Sequence, residues 1–254
     1  MKADFHIHTH YLKCANQTMT VPAIVQKCTE LGLEMIGIAD HLNVRENLPL
    51  FRKIKEDIAA LRTSLPVFFG CELNYSGRPM PYDAEIEKQY GFQYAIGGLH
   101  GAHTKEPSLR TIIDIQHKLL CECAACPLFD VVVHPWWYGR SEFTRNNLPW
   151  LEDMSQIPKA YTREFAQIAR QNGKAIEING MAIFWNTGYS DRFRKEYVEH
   201  LAVMNEEGVM FALASDAHAI DQLASVAEPI RVAEELKIPE ARLWRPRAER
   251  AASG

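Results

Sequence analysis

This sequence predicts an α/β fold, a distorted (β/α)7 barrel of the TIM type, and three observations predict it. Short apolar, β-rich runs recur seven times along the 254 residues, separated by longer stretches of helical periodicity. Side chains able to hold a metal stand at the carboxyl ends of nearly all of these runs. Gly-x-Gly-x-x-Gly and phosphate-loop patterns are absent, which leaves an open nucleotide-binding sheet without support. Only a closed barrel brings so many strand ends to one point.

The elements follow in order. The run 3–8 carries His6-Ile7-His8, where a period of two turns both imidazoles inward and Ile7 outward. Val21, Ile24, Val25, Cys28 and Leu31 then mark a helix, with Pro22 near its start and Gly32 at its end. Run 35–40 leads to Asp40-His41, and Phe51, Ile54, Ile58 and Leu61 mark the next helix. Run 67–72 ends in Cys71-Glu72, and run 93–99 in Leu99-His100. A helix marked by Ile112, Ile115, Leu119 and Leu120 precedes run 129–134, which ends at His134. The connection 135–160 is long and rich in aromatics, and such loops in compact domains are usually functional. Helical signals at Phe165, Ile168 and Ala169 precede run 175–179, ending at Asn179. Those at Phe193, Tyr197, Leu201 and Met204 precede run 209–215, which leads into Ser215-Asp216-Ala217-His218, and Val226, Ile230 and Ala233 mark a last helix. We expect one domain over 1–241 and a polar, loosely held tail over 242–254.

Composition narrows the function classes. Hydrophobic residues make up 47% and charged residues 24%, the balance of an ordinary globular domain. A net charge of −4 argues against a dedicated nucleic-acid binder, which carries a basic surplus. No signal-peptide pattern and no apolar run of about 18 residues is present, so a cytoplasmic protein without a membrane span is expected. Six cysteines are too few for a disulfide scaffold at this length and are read as reduced thiols. Cys121, Cys123 and Cys126 lack the second pair that would complete a metal site, and Cys121 and Cys123 fall on different helix faces.

The chemistry lies at the strand ends. A histidine or carboxylate closing an apolar run is expensive to bury without a partner. One such residue reads as a structural histidine or a helix cap; repetition at six of the seven runs reads as a multinuclear metal site. The motifs HIHT, ADH, GCE, GLH, VVHP, EIN and SDAH, in that order from His6 to His218, resemble the polymerase and histidinol phosphatase (PHP) superfamily. The resemblance implies a distorted seven-stranded barrel with two to three divalent metals, zinc, manganese or iron. It implies that His6, His8, Glu72 and Asp216 hold a first metal, that Glu72 bridges to a second completed by His100 and His134, and that His41 and His218 serve a third. The resembling phosphatases place one more histidine where this chain has Cys14. A thiolate also binds zinc, so Cys14 is a candidate ligand beside the alternatives of His10 or an unfilled third site.

The reaction this implies needs no serine or cysteine nucleophile: cations bridged by Glu72 and held by Asp216 activate a water and offset phosphate charge. His218 or Asp40 is expected to pass a proton to the leaving group. Asn179, Arg140 and Trp136 are expected to meet the substrate, with a hydrogen-bonding role behind the ligands as the alternative for Asn179. Arg78, Lys105 and Arg192 are further loop cations whose charge suits phosphate, and Trp137 and Tyr138 are further candidates for a pocket wall. The favoured reading is a metal-dependent phosphoric ester hydrolase acting on a small phosphomonoester, such as histidinol phosphate or a nucleotide. Three alternatives stay open: an exonuclease or phosphodiesterase, an amidohydrolase, and a degenerate structural PHP module. An amidohydrolase would bridge its metals with a lysine on strand four, where this chain offers Glu72 on strand three and His100 on strand four. Oligomeric state has no signature here.

Overall fold

A computed structural model describes residues 1–246 and shows seven parallel strands in the order β1 to β7. They are β1 (Ala3–Ile7), β2 (Met35–His41), β3 (Val67–Asn74), β4 (Tyr94–Gly98), β5 (Val131–Val132), β6 (Ala175–Asn179) and β7 (Met210–Ala214). The helices are α1 (Val21–Glu30), α2 (Leu48–Ala60), α3 (Ala84–Tyr90), α4 (Leu109–Ala125), α5 (Arg140–Arg145), α6 (Lys159–Gln171), α7 (Asp191–Glu206) and α8 (Ala227–Glu235). Each apolar run of the sequence holds a strand, because residues buried on both faces of a parallel sheet give continuous apolar stretches. Thr20, Asp83, Ser108 and Ser190 cap α1, α3, α4 and α7 with their side-chain oxygens, each cap contributing about 1 kcal/mol.

The short helices α3 and α5 are absent from the sequence-based expectation. Seven and six residues offer too few apolar positions for a period to emerge. Even so, Asp83 and Gly91, the latter in left-handed backbone with φ 69°, bracket α3 as cap residues should. The long connection after β5 is packed rather than open. Tyr138 stacks on Phe143, Trp150 stacks on Tyr189, and the Trp150 indole N–H donates to the Tyr138 carbonyl.

Two features shape the barrel around its centre. Tyr94 lies across Gly37 and Gly70, where an added methyl group would meet its ring at 2.9 and 2.5 Å, and its hydroxyl donates to the Phe5 carbonyl (3.0 Å). Phe5, Phe68 and Trp244 pack beside it, closing the end of the barrel opposite the strand carboxyl ends. The register of β1 against β2 shifts between Asp4 and Ile7, a bulge that breaks the simple alternation. Trp244 therefore belongs to the barrel floor, and Leu243 bridges to Phe211; neither is loosely held. The remainder of the expected tail, 247–254, lies outside the described residues.

β1 and β7 do not share a regular ladder, and the seam between them is joined near the carboxyl ends instead. Ile7 bridges to Ala217, the His8 N–H donates to the Ala217 carbonyl (3.1 Å), and the Asp216 N–H donates to the His6 carbonyl (2.8 Å). Lower in the seam, Asp4 Oδ1 accepts the N–H groups of Ser215 (2.9 Å) and His6 (3.2 Å). Among the described residues no helix is long and apolar enough to cross a membrane. None of the six cysteines is in a disulfide among the described residues.

Asp4 supplies a test of the seam. Burial pushes its carboxyl up to about 7 against the opposing hydrogen bonds from Ser215 and His6, and among the described residues its Oδ2 has no hydrogen-bond partner. Below the unfolded-state pKa both states hold the proton; between there and 7 only the folded state does. Stability from this group is therefore present at low pH and lost as pH rises through 7, by up to on the order of 4 kcal/mol. Asp4→Asn should match the parent near pH 4 and exceed it at pH 8 in urea unfolding; equal pH slopes for the two proteins would refute this.

Candidate metal centre

Glu72 sits at the middle of the site. It is the register partner of His41 across β2 and β3, and both face the barrel axis. Four imidazole nitrogens stand close to its carboxylate: His41 Nδ1 at 2.7 Å, His100 Nε2 at 3.0 Å, His134 Nε2 at 3.2 Å and His6 Nε2 at 3.2 Å. His8 Nε2 lies 3.0 Å from His6 Nε2 and 3.3 Å from Asp216 Oδ1. Donor atoms about 2.0–2.2 Å from a shared divalent ion lie roughly 3–3.6 Å from one another, so the spacing suits metal ligation.

An unsatisfied atom agrees with that fit. Glu72 Oε2 is buried with no well-formed hydrogen bond among the described residues, a state that costs about 1–3 kcal/mol unless something else meets it; His100 and His134 turn Nε2, not Nδ1, toward the same carboxylate. Three sets of ligand atoms lie within 4.8 Å of one another: His6, His8 and Asp216; His41, Glu72 and His100; and His8, Cys14, His41 and His218. The structure thus brings together His6, His8, His41, Glu72, His100, His134, Asp216, His218 and Cys14, whereas His10, the alternative to Cys14, joins no such set among the described residues and turns Nδ1 to the Met19 carbonyl (3.2 Å). His41 is shared, reaching Glu72 as well as His218, where the resemblance grouped it with the third metal alone. Cys121, Cys123 and Cys126 join no such set among the described residues.

Charge compensation follows the same geometry. Burial alone would raise Glu72, but His41, His6 and His100 hold it well below the ordinary glutamate range. Burial alone would lower His6, but Asp216, Glu72 and Glu177 hold it well above the ordinary range; His8 is raised in the same way against its own burial, by Asp216 and Asp40. Burial prevails for His218 and His100, which are lowered.

Glu177 is the residue the sequence reading missed. It points inward from β6, accepts the His6 Nδ1–H (2.7 Å) and the His134 backbone N–H (2.6 Å), and accepts from Asn179 Nδ2 (2.9 Å). Its signal was present: it stands two places before Asn179 on a strand of period two, and a metal-binding histidine needs an acceptor behind it. His134 and Asp216 both sit at positive φ, 30° and 60°, a strained backbone typical of functional positions. No sequence pattern marks such residues.

Three expected roles change, and Asn179 takes the hydrogen-bonding one of its two. Asp40 is fully buried, accepting from the Thr9 N–H and hydroxyl and lying 3.7 Å from His8 Nδ1. It orients His8 and cannot reach a leaving group. Asn179 is fully buried too; it donates to Glu177 and Asp216 and caps a single π-helical turn, Gly180–Phe184, so it holds the cluster rather than a substrate. Trp136 faces His117, away from the cluster, and Trp137 takes the wall, its ring 5.0 Å from that of His134. Arg140 stacks on Trp150 and does not line the cleft. Of the two residues expected to move a proton, only His218 opens onto the cleft.

Two outcomes test this arrangement. Glu177→Gln should keep the fold and weaken metal binding by about 10–100-fold in chelator competition; unchanged affinity would remove Glu177 from the site. Because His6 and His8 hold protons above the ordinary histidine range and ligation requires their release, metal affinity should rise with pH. Titration in weakly buffered solution should show proton release on metal addition, and none would contradict the assignment.

Comparison with known proteins bears on the same residues. Relatives similar in sequence include a probable phosphatase of Acetivibrio thermocellus, 22% identical over 94% of this chain and 89% of that protein. A second, from Proteus mirabilis, is 19% identical over 93% of this chain and 87% of that protein. Among solved structures, the histidinol phosphate phosphatase of Lactococcus lactis subsp. lactis, complexed with zinc, L-histidinol and phosphate, superimposes with a TM-score of 0.68 at 14% identity, covering 92% of this chain and 93% of that one. A putative histidinol phosphatase of Listeria monocytogenes does so at 0.60 and 14%, covering 87% and 97%. The PHP domain model matches residues 4–181, the stretch that carries His6, His8, His41, Glu72, His100 and His134, and the chain belongs to the PHP domain family.

Proposed function

We propose that this protein is a metal-dependent phosphatase that hydrolyses a small phosphomonoester. The observation that carries the reading is the cleft over the cluster. It measures about 560 Å³, the size of a small-molecule site. Its floor is His41, Glu72, His100, His134, Asp216 and His218, and among the described residues no lysine or arginine lines it. A phosphate dianion entering there would meet carboxylates and imidazoles, an arrangement that repels it unless cations occupy the cluster. Divalent metals supply that charge, and they acidify water for attack on phosphorus.

The residues divide the remaining work. Glu72, His6, His8, His100, His134 and Asp216 form the ligand cage, Glu177 and Asp40 aim its histidines, and Asn179 ties Glu177 to Asp216. His41, His218 and Cys14 form the third set of the cage. His218, partly exposed at the mouth, also has the position to hand a proton to the departing oxygen when it is not a ligand. Trp137, Met181 and Trp185 form an apolar wall for the leaving group, and Trp185 is 42% exposed. That wall suits a flat moiety on the leaving group, such as a nucleobase. β4 contains no lysine, which counts against the amidohydrolase alternative. The acidic net charge and the absence of cations from the cleft count against a nucleic-acid substrate.

Metal-stripped protein reconstituted with zinc, manganese or iron should release phosphate from phosphomonoesters only when metal is restored. Glu72→Ala should abolish that release while circular dichroism stays unchanged. Full metal occupancy without release from any phosphomonoester would reject the reading.

A further inference from the structure

Of the loop cations able to grip a phosphate, the structure engages two elsewhere. Arg192 pairs with Glu196 and Asp153, and Arg140 stacks on Trp150. Arg78 and Lys105 remain: among the described residues neither makes an ion pair or a hydrogen bond. Both line one cavity of about 700 Å³, together with Asn74, His100, His103 and Glu142. Asn74 ends β3, two places after Glu72, and His100 belongs to both this cavity and the metal cleft. The cavity therefore adjoins the cluster on the β3–β4 side, while its two cations stay out of the cleft itself.

We propose that this cavity is a second anion subsite, so that preferred substrates are phosphomonoesters bearing another anionic group, a carboxylate or a second phosphate, which Arg78 and Lys105 hold. The inference rests on the phosphatase reading above and deepens it. Two unpaired cations beside one carboxylate, Glu142, leave a positive surplus, and His103 adds no charge because burial and the nearby His100 and Arg78 lower its pKa. The scissile phosphate is matched by the cluster and needs neither cation. An anionic arm on the leaving group would lie along the shared His100 edge and complete both charges. Charge-assisted hydrogen bonds of this kind contribute to binding rather than to the chemical step, so their signature is in KM.

Steady-state kinetics of the metal-loaded full chain test this with two matched pairs: glycerol 3-phosphate against 3-phosphoglycerate, and fructose 6-phosphate against fructose 1,6-bisphosphate. The subsite predicts a KM about tenfold or more lower for the member with the extra anion in at least one pair. The pair that responds identifies carboxylate or phosphate as the group held. The double variant Arg78→Ala/Lys105→Ala should erase the difference while leaving kcat, and the KM for the singly charged member, unchanged. Equal KM values within both pairs in the parent protein, or a preference that survives the double substitution, would overturn the subsite and leave the phosphatase reading standing. Hydrolysis of none of the four by fully metallated protein that still cleaves p-nitrophenyl phosphate would also overturn the subsite alone. Failure on p-nitrophenyl phosphate and on every other phosphomonoester would overturn both.

Discussion

A carboxylate buried among imidazoles is the constraint on which this structure depends. Taking a charge out of water costs several kcal/mol even after relaxation, so Glu72 is tolerable only where compensating groups surround it. The barrel provides that place. Strands β2 and β3 and the carboxyl ends of β4 and β5 deliver His41, Glu72, His100 and His134, and β1, paired with β2, adds His6 and His8. A cluster of this composition binds protons when metal is absent and metal when it is present, because both meet the same lone pairs.

Barrel closure and site assembly are one event. β1 and β7 lack a regular ladder, and the backbone bonds joining them near the top involve His6, His8, Asp216 and Ala217. The ligand-bearing segments therefore seal the seam, and an ion shared by His6, His8 and Asp216 would add a clasp across it. The strained backbones of His134 and Asp216 are held by the same network: the Glu177 carboxylate accepts one N–H and the His6 carbonyl accepts the other. Strain persists where surrounding structure over-determines it.

The carboxyl-end face then separates charge by location. The cleft over the cluster keeps its cations to those a metal would bring, and its outer wall is apolar through Trp137, Met181 and Trp185. Fixed positive side chains stand in the adjoining cavity instead. The aromatic connection after β5 makes that separation possible, since its packing of Tyr138, Phe143 and Trp150 holds Arg140 outside the cleft.

Strand positions and candidate ligands were legible in the sequence because both rest on local rules. Residues buried on two faces give unbroken apolar runs, helices give a period of 3.6, and a metal cluster in a barrel must draw its ligands from strand ends. β6 was read to its termini, and all nine candidate ligands converge. Roles beyond the ligands were not legible, because they depend on direction rather than position. Trp136 and Trp137 are neighbours of one residue type, and the positive φ of Trp136 and His134 decides which ring walls the cleft. Asp40 stands beside His41, yet its carboxylate turns to Thr9 and His8. Glu177 lay inside a strand correctly identified, and its importance exists only once His6 and His134 arrive from β1 and β5. The sequence by itself determined which residues could bear charge at the barrel mouth; the tertiary structure alone decided which of them face one another, because a hydrogen bond across 171 residues of chain has no local pattern to announce it.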